Sequence, residues 1–454
     1  MSFTNFLCWE PNRVRTVMNT NAELASEEIF LAVHTAYPLR AQIGNAAESL
    51  IDPENLITRF LNPNARHIQI VIQGESGTGK SHFIKWMEYN IPDDEKYEVI
   101  SIPRSSLSLR GILELIIAVL PDNLAQEYQG YLDQSGSIHS SEEQLKSELR
   151  RRIASSIGRD KADESSELFD VEEDLIDHLP NLFDDPTVAR HIERTGGAIQ
   201  ELVQHIMNDS KEYTPVEGRR IFEETDLFLD DIQVTNTAQA TQYVLNQLRM
   251  DSETRDLALT IINRNVDNAI AEILNFTGDR LPNLFNTVRR HLKALDKELI
   301  LLIEDMARTQ GLDRPILEAL IEENEDLCNF RWAAAATTGY YQSLPNTVQT
   351  RTDVLVQMDK SATEEDSTLT QSFLSKFSAK YLNAVRLDPN DLSNWIQSDS
   401  DRQKIGPPPN ACNQCDFREE CHASFGSDGD IGLYPFTENA LLNMYRRHTE
   451  NYQQ

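Results

Sequence analysis

Gly74-Glu75-Ser76-Gly77-Thr78-Gly79-Lys80-Ser81 is the stretch of sequence that decides the fold. It fits the pattern G-x-x-x-x-G-K-[ST], in which glycines allow a tight loop whose backbone N–H groups converge on phosphate oxygens. Residues 67–73 before it have the pattern of a buried strand, and residues 81–89 after it carry apolar side chains at helical spacing. Strand, loop and helix follow one another in the required order, so the stretch predicts binding of a nucleoside triphosphate.

The pattern predicts a specific role for two residues of the loop. Lys80 is expected to reach the β- and γ-phosphates, and Ser81 is expected to give its hydroxyl to Mg²⁺. A glycine-rich surface turn is the alternative, and the agreement of both flanks with the pattern disfavours it. The predicted nucleotide-binding residues are Gly74, Glu75, Ser76, Gly77, Thr78, Gly79, Lys80, Ser81 and His82.

A continuous apolar run ends in two carboxylates far along the chain. Residues 299–303 are all apolar, and Glu304 and Asp305 follow them directly. A strand buried on both faces is continuously apolar, and in doubly wound sheets its carboxyl end emerges where ligands bind. One carboxylate is therefore expected to hold Mg²⁺ with Ser81, while the other polarises the water that attacks the γ-phosphate. The residues leave open which acid does which, and a core strand capped by solvated acids is the other interpretation.

The chain is strongly acidic. Its 454 residues carry 42 Lys and Arg against 73 Asp and Glu, a formal net charge of -31. Such a charge repels nucleic acid and anionic membranes, and the only modest basic stretch is residues 104–110. No apolar run is long enough to cross a membrane, and the first residues lack a secretory signal pattern. A cytoplasmic protein without a membrane partner is predicted, and local binding of nucleic acid stays open.

Composition changes along the chain predict its organisation. With 40% hydrophobic residues the chain has material for roughly two to four domains. Strand and helix patterns alternate in the core, whereas the middle of the chain is polar, acidic and without strand signals. The predicted parts are an N-terminal helical preamble (1–60), a nucleotide-binding core (61–121 and 281–360), an acidic helical insertion (122–280) and a helical C-terminal region (361–454).

Cysteine spacing predicts a small metal site within residues 405–426. Five cysteines are too few for a disulfide framework in a chain of this length. Three thiols and an imidazole can form a closed tetrahedral zinc site, and C-x-x-C spacing forms the knuckle of such sites. The fourth ligand stays open, with His448 as the other candidate, and three unligated cysteines are the alternative. The predicted zinc ligands are Cys412, Cys415, Cys421 and His422.

Together these features resemble the AAA+ ATPases and their signal-transducing relatives. The likeness covers roughly residues 65–360 and adds two features: a strand over residues 331–339 that ends in hydroxyls before a loop at 340–345, and Arg351 ahead of a short strand. It implies an α/β P-loop NTPase fold with a parallel sheet, and a lid formed by the C-terminal helices. It also implies that Thr338 or Thr337 senses the γ-phosphate, and that Arg351 acts on a neighbour's site in a homo-oligomeric ring or dimer.

The same resemblance predicts an ATPase whose cycle drives oligomeric assembly or remodelling. The usual order of the two acids is Asp then Glu, whereas this chain has Glu304 then Asp305, so slow turnover is expected because the shorter side chain sits further from the water. The chain looks like the large ATPases of prokaryotic anti-phage defence systems. It is expected to be the amino-terminal part of a longer protein with an effector partner. A non-hydrolysing switch or scaffold, and a DNA translocase or loader, are the alternatives.

Overall fold

The computed structural model describes residues 8–9, 11–18, 26–36, 39–75, 77–92, 95–103, 109–138, 142–162, 168–207, 222–227, 237–274, 280–306, 324–343, 346–359, 367–398 and 405–452. These residues divide into two compact units. The first, the sheet unit, comprises Met1–Ser101, Ile300–Glu304 and Arg331–Gln454. The second, the helical unit, comprises Ile102–Leu299 and Asp305–Phe330.

Strands and helices alternate at both ends of the chain, and helices fill its middle. The described strands are β1 Leu39–Ile43, β2 Ser49–Ile51, β3 His67–Gln73, β4 Tyr97–Ile102, β5 Glu298–Ile303, β6 Phe330–Ala336, β7 Val354–Gln357, β8 Ser427–Asp428 and β9 Ile431–Gly432. The described α-helices are α1 Pro11–Val17, α2 Glu27–Val33, α3 Pro53–Phe60, α4 Lys80–Tyr89, α5 Leu109–Ile117, α6 Asp122–Ile138, α7 Glu142–Ile157, α8 Phe169–Asp184, α9 Pro186–Ile192, α10 Ala198–Met207, α11 Gln239–Met250, α12 Ser252–Ile273, α13 Arg280–Ala294, α14 Thr338–Ser343, α15 Asn346–Arg351, α16 Ser367–Arg386, α17 Pro389–Ile396, α18 Arg418–Phe425 and α19 Glu438–Tyr452.

The first seven strands form one mostly parallel sheet in the order β2-β1-β7-β3-β6-β5-β4. Strands β3 and β7 run parallel, with Ile70 opposite Val354 and Gln73 opposite Gln357. Strand β1 runs antiparallel to both β2 and β7. The predicted α/β P-loop fold is confirmed at this level.

Backbone hydrogen bonds fix the direction of the central strands. Strands β5 and β6 begin together, because the Leu299 N–H donates to the Asn329 carbonyl at 3.0 Å. Strands β6 and β3 end together, because the Gly74 N–H donates to the Ala336 carbonyl at 3.3 Å. The carboxyl ends of β3, β5, β6 and β7 therefore meet at one edge of the sheet, which we call the carboxyl edge.

Apolar burial explains why the central strands read as unbroken apolar runs. Every residue of β5 and β6 is buried. Helix α4 places Phe83 and Trp86 into the same core as Ile70 and Ile72 of β3. Each such side chain contributes about 1.5–3 kcal/mol when it is fully buried.

The helical unit is held by apolar helix packing and a buried polar cluster. Leu149 of α7, Leu179 of α8 and Ile261 of α12 are buried. The Arg264 guanidinium lies 2.6 Å from carboxylate oxygens of both Asp160 and Glu172. No strand occurs among the described residues of 122–280, as the sequence predicts for the insertion.

Helices from both chain ends share a second core within the sheet unit. Val17 of α1 and Ile29 of α2 pack with Ala384 of α16 and Leu392 of α17. Strands β8 and β9 form a two-stranded antiparallel hairpin between α18 and α19. The predicted C-terminal helices are present. That they form a lid over the nucleotide stays a prediction.

Two sequence expectations for local structure need correction. The segment predicted as a helical preamble also contributes β1 and β2 to the sheet. The segment predicted as a loop after β6 contains helix α14, whose first turn closes when the Tyr341 N–H donates to the Thr337 carbonyl at 3.0 Å. Residues 344–345 lie outside the described residues. None of the helices that the structure describes has both the length and the apolar character of a membrane span.

Candidate functional site

The predicted phosphate loop joins β3 to α4 at the carboxyl edge of the sheet. Gly77 and Gly79 have φ angles of 85° and 93°, in the left-handed region where a side chain is strained. Gly79 directly precedes α4, so the loop leads into a helix N-terminus that presents backbone N–H groups to an anion. Ser76 lies outside the described residues.

Gly74 is required because its surroundings are already full. A Cβ at this position would lie 2.8 Å from Thr78 Oγ1, 3.0 Å from Met358 Cβ and 3.1 Å from Asp359 Oδ1. These atoms belong to the loop itself and to the two residues that follow β7. The loop is therefore packed against the end of the neighbouring strand.

Lys80 lies across the beginning of its own loop. Its Nζ donates to the carbonyls of Gly74 and Glu75, each at 2.7 Å. The Thr78 hydroxyl also donates to the Glu75 carbonyl, at 2.9 Å. The ammonium thus sits where a positive charge can meet phosphate oxygens by exchanging these neutral acceptors for charged ones.

The two acids follow β5, which is separated from β3 by β6 alone. Glu304 is buried, with 6% of its surface exposed, and Asp305 follows it half-buried. The pKa of Lys85 on α4 is raised, although burial alone would lower it. The hydrogen bond and charge of Glu88 raise it, and the charges of Tyr89 and Glu304 add to this effect. The structure therefore brings Glu304 to the helix that carries Lys80.

The predicted phosphate sensor Thr338 is hydrogen-bonded to another side chain. Thr338 begins α14, and its hydroxyl donates to Asp359 Oδ2 at 2.9 Å. Asp359 Oδ1 in turn accepts the N–H of Glu75 in the phosphate loop. The sequence pattern does not indicate Asp359, which comes two residues after the end of β7.

Arg351 lies at the other edge of the sheet. It is the last residue of α15, is exposed, and precedes β7, whose direction is the same as that of β3. The start of β7 is therefore remote from the carboxyl edge of its own sheet. A role for Arg351 in phosphoryl transfer requires the site of a neighbouring chain, as the resemblance implies.

The His82 ring faces helix α2. Its Nε2 lies 2.9 Å from His34 Nδ1, and its ring centroid lies 4.3 Å from that of Phe30. Burial lowers the pKa of His82 to about 4. The described partners of the His82 ring are His34 and Phe30, so its predicted part in cofactor binding stays a prediction.

The predicted zinc knuckle is not shown by the part of the chain that the structure describes, and it stays a prediction. No group of three or more His, Cys, Asp or Glu side chains there is arranged to hold a metal ion. The Cys412 sulfur accepts N–H groups of Gly432 at 3.4 Å and Arg386 at 3.5 Å. The His422 ring packs against Gly432, where a Cβ would lie 2.8 Å from its Cδ2.

The other predicted ligands differ in their exposure to solvent. Cys415 is exposed, and Cys421 is only partly buried. Burial raises the pKa of the Cys421 thiol, which favours its neutral form. The side chain of His448 lies outside the described residues.

Comparison with known proteins identifies the family. The model of the KAP family P-loop domain matches residues 53–320, more than half of the chain. No curated protein and no solved structure gives a significant match. The matched range contains the phosphate loop and both acids, and it confirms the predicted P-loop ATPase of the AAA+-like or signal-transducing kind. This chain belongs to the KAP family of P-loop NTPases, whose domain binds a nucleotide.

Proposed function

We propose that this protein hydrolyses ATP in the presence of Mg²⁺. The observation that carries the proposal is the meeting of four strand ends at the carboxyl edge, which supply the phosphate loop, Glu304, Thr338 and Asp359. Parallel sheets bind ligands at this edge, where loops from neighbouring strands converge. The membership of the KAP family supports nucleotide binding independently.

The residues of the site have complementary parts in this reaction. The loop N–H groups and Lys80 would hold the β- and γ-phosphates, and the Ser81 hydroxyl with Glu304 would hold Mg²⁺. The metal, when bound, neutralises charge on the phosphate oxygens. Asp305 would accept a proton from water as the water oxygen bonds to the γ-phosphorus and the bond to the bridging oxygen of ADP breaks.

Turnover is proposed to be slow. Asp305 occupies the position at which the AAA+ ATPases have a glutamate. Its side chain is shorter, so its carboxylate extends less far from the end of β5. A non-hydrolysing switch is the limiting case of the same geometry. Phosphate release measured for wild type, Asp305→Asn and Glu304→Gln separates the two, because a switch releases no phosphate above background in any of them.

We propose further that the active form is a homo-oligomer. The position of Arg351 at the far edge of its own sheet supports this, since an arginine finger from a neighbour stabilises charge on the transferred phosphoryl group. Its remodelling target, an effector partner and a part in anti-phage defence stay predictions from the resemblance. Solution mass with and without ATP and Mg²⁺ tests the oligomer, and an unchanged monomer mass would contradict it.

Lys80→Ala tests the nucleotide site itself. Loss of charge-assisted hydrogen bonds to phosphate should weaken ATP binding by about 10- to 100-fold. Lys146→Ala is the control, because Lys146 lies on α7 of the helical unit and pairs with Glu142 and Glu143, each at 3.0 Å. Equal ATP affinity of wild type and Lys80→Ala in titration calorimetry would sink the proposal.

A further inference from the structure

The Asp359 carboxylate joins two parts of the carboxyl edge. One oxygen accepts the Glu75 N–H of the phosphate loop, and the other accepts the Thr338 hydroxyl at 2.9 Å. Both acceptor oxygens are therefore engaged by groups that lie where the triphosphate is proposed to bind. Its half-buried position lets it act as a bridge between the two segments.

Backbone pairing holds Asp359 in this place. The Met358 N–H donates to the Gln73 carbonyl at 2.8 Å, which continues the parallel pairing of β7 with β3 beyond the strand. Asp359 Oδ1 would lie 3.1 Å from a Cβ on Gly74, so the carboxylate is directly against the loop. The position of Asp359 is thus set by the same register that sets the phosphate loop.

The charge of Asp359 opposes the charge of the proposed substrate. Lys80 supplies a positive charge at the Gly74 and Glu75 carbonyls, while Asp359 places a negative charge at the Glu75 N–H. A carboxylate at a loop that binds a triphosphate weakens that binding through charge repulsion. A second role of the carboxylate would explain its presence there. The hydrogen bond from Thr338 provides such a role. The Thr338 hydroxyl has one proton, so it can donate to Asp359 or to a phosphate, but not fully to both.

We propose that Asp359 is a positioning residue that holds the Thr338 hydroxyl until a γ-phosphate replaces it as the acceptor. This inference rests on the proposed ATP site and deepens it. ATP must break the bond between Thr338 and Asp359, whereas ADP lacks the phosphate that reaches Thr338 and leaves the bond intact. The pair therefore lowers the preference of the site for ATP over ADP.

Asp359→Asn separates this role from a merely structural one. The amide oxygen can still accept the Glu75 N–H, but the amide NH₂ donates to Thr338 and frees the hydroxyl proton for phosphate. The ratio of the ADP dissociation constant to that of a non-hydrolysable ATP analogue should rise about three- to tenfold. A structural role would change both dissociation constants equally and leave their ratio unchanged.

Two further variants make the test specific. In a Thr338→Val background, Asp359→Asn should no longer raise the ratio, because the hydroxyl that exchanges is gone. Asp353→Asn is the matched control, since Asp353 also accepts a backbone N–H, that of Gln69 at 2.8 Å, at the other end of β7. It should leave the ratio unchanged.

The outcomes distinguish this inference from the proposed function. If wild type binds neither ADP nor the ATP analogue, the nucleotide site itself is wrong. If wild type binds both and Asp359→Asn leaves their ratio unchanged, the exchange at Thr338 is wrong while the nucleotide site stands. A rise that persists in the Thr338→Val background would also overturn it, because the effect would then come from charge alone.

Discussion

His34 Nδ1 lies 2.9 Å from His82 Nε2, so a hydrogen bond between two imidazoles ties helix α4 to α2. The two rings stack with centroids 5.2 Å apart. Burial, with the charges of His82 and Lys380, lowers the pKa of His34 to about 3, and burial lowers that of His82 to about 4. Both rings are therefore neutral near neutral pH, and one of them donates the shared proton.

The free energy of unfolding should fall as the pH decreases from about 6.5 toward 4. Both native pKa values lie below the unfolded value of about 6.5, so the unfolded state binds more protons between these pH values. The stability contributed by the two neutral histidines is therefore fully present only above about pH 6.5. Each histidine can contribute up to about 1.4 kcal/mol per pH unit. Urea unfolding of wild type and His82→Phe checks this, because the variant should have the shallower pH dependence.

His178→Gln serves as the control for this pH experiment. The His178 side chain is 37% exposed and lies in the helical unit. Introduced into both wild type and His82→Phe, the His178→Gln change should leave the difference between their two pH slopes unchanged. An equal slope for His82→Phe and wild type would show that the histidine pair does not titrate as the structure implies.

Asp305→Glu should raise the rate of phosphate release. The longer side chain carries the base closer to the attacking water, and a well-placed general base is worth about 10²- to 10⁴-fold. We expect an increase of at least about threefold, with little change in ATP affinity, in a steady-state phosphate assay. Glu304→Asp changes the neighbouring acid in the opposite sense and should lower the rate. A slower Asp305→Glu enzyme would contradict the assignment of Asp305 as the base.

Gly74→Ala should disrupt the phosphate loop. The new methyl group would meet atoms of Thr78, Met358 and Asp359 at 2.8–3.1 Å, so the loop must move. ATP affinity should fall by at least about tenfold, measured by titration calorimetry. Gly130→Ala makes the same chemical change within α6, where a Cβ would meet nothing within 4 Å. It should stabilise the protein by about 0.5–1 kcal/mol and leave ATP binding unchanged.

Arg264→Met should destabilise the helical unit strongly. Glu172 is only 3% exposed and lies 2.6 Å from Arg264, so the change removes a cation that is adjacent to a buried carboxylate. We expect a loss of about 2–4 kcal/mol in urea unfolding, since Arg264 itself is partly exposed. Arg418→Met removes an ion pair of the same 2.6 Å length, but one whose Asp430 side chain is 77% exposed. That loss should stay below about 1 kcal/mol.

The sequence predicts the phosphate loop and the acid strand because each depends on local pattern. Glycines, Lys80 and Ser81 are required by the loop and its ligand at fixed spacing, and a fully buried strand such as β5 is a continuous apolar run. The family match confirms the P-loop assignment. Both signals lie within a few consecutive residues, so no knowledge of distant contacts is needed to find them.

The part of Asp359 could not be predicted because it depends on distant contacts. Its bond to Glu75 exists only because β7 pairs with β3, with Gln357 opposite Gln73. The partner of His82 is likewise distant in sequence, because His34 directly follows α2 and precedes the loop by many residues. The cysteine spacing indicates a metal site, but spacing along the chain does not specify where the sulfur atoms point, so the zinc site stays a prediction.

Strand β2 limits how copies of this protein can join. It is only three residues long, it is the last strand on its side of the sheet, and Leu50 within it is 58% exposed. A border so brief offers few free backbone groups to an incoming strand, which protects against edge-to-edge aggregation. Continuous β-pairing of an incoming strand with β2 is therefore disfavoured.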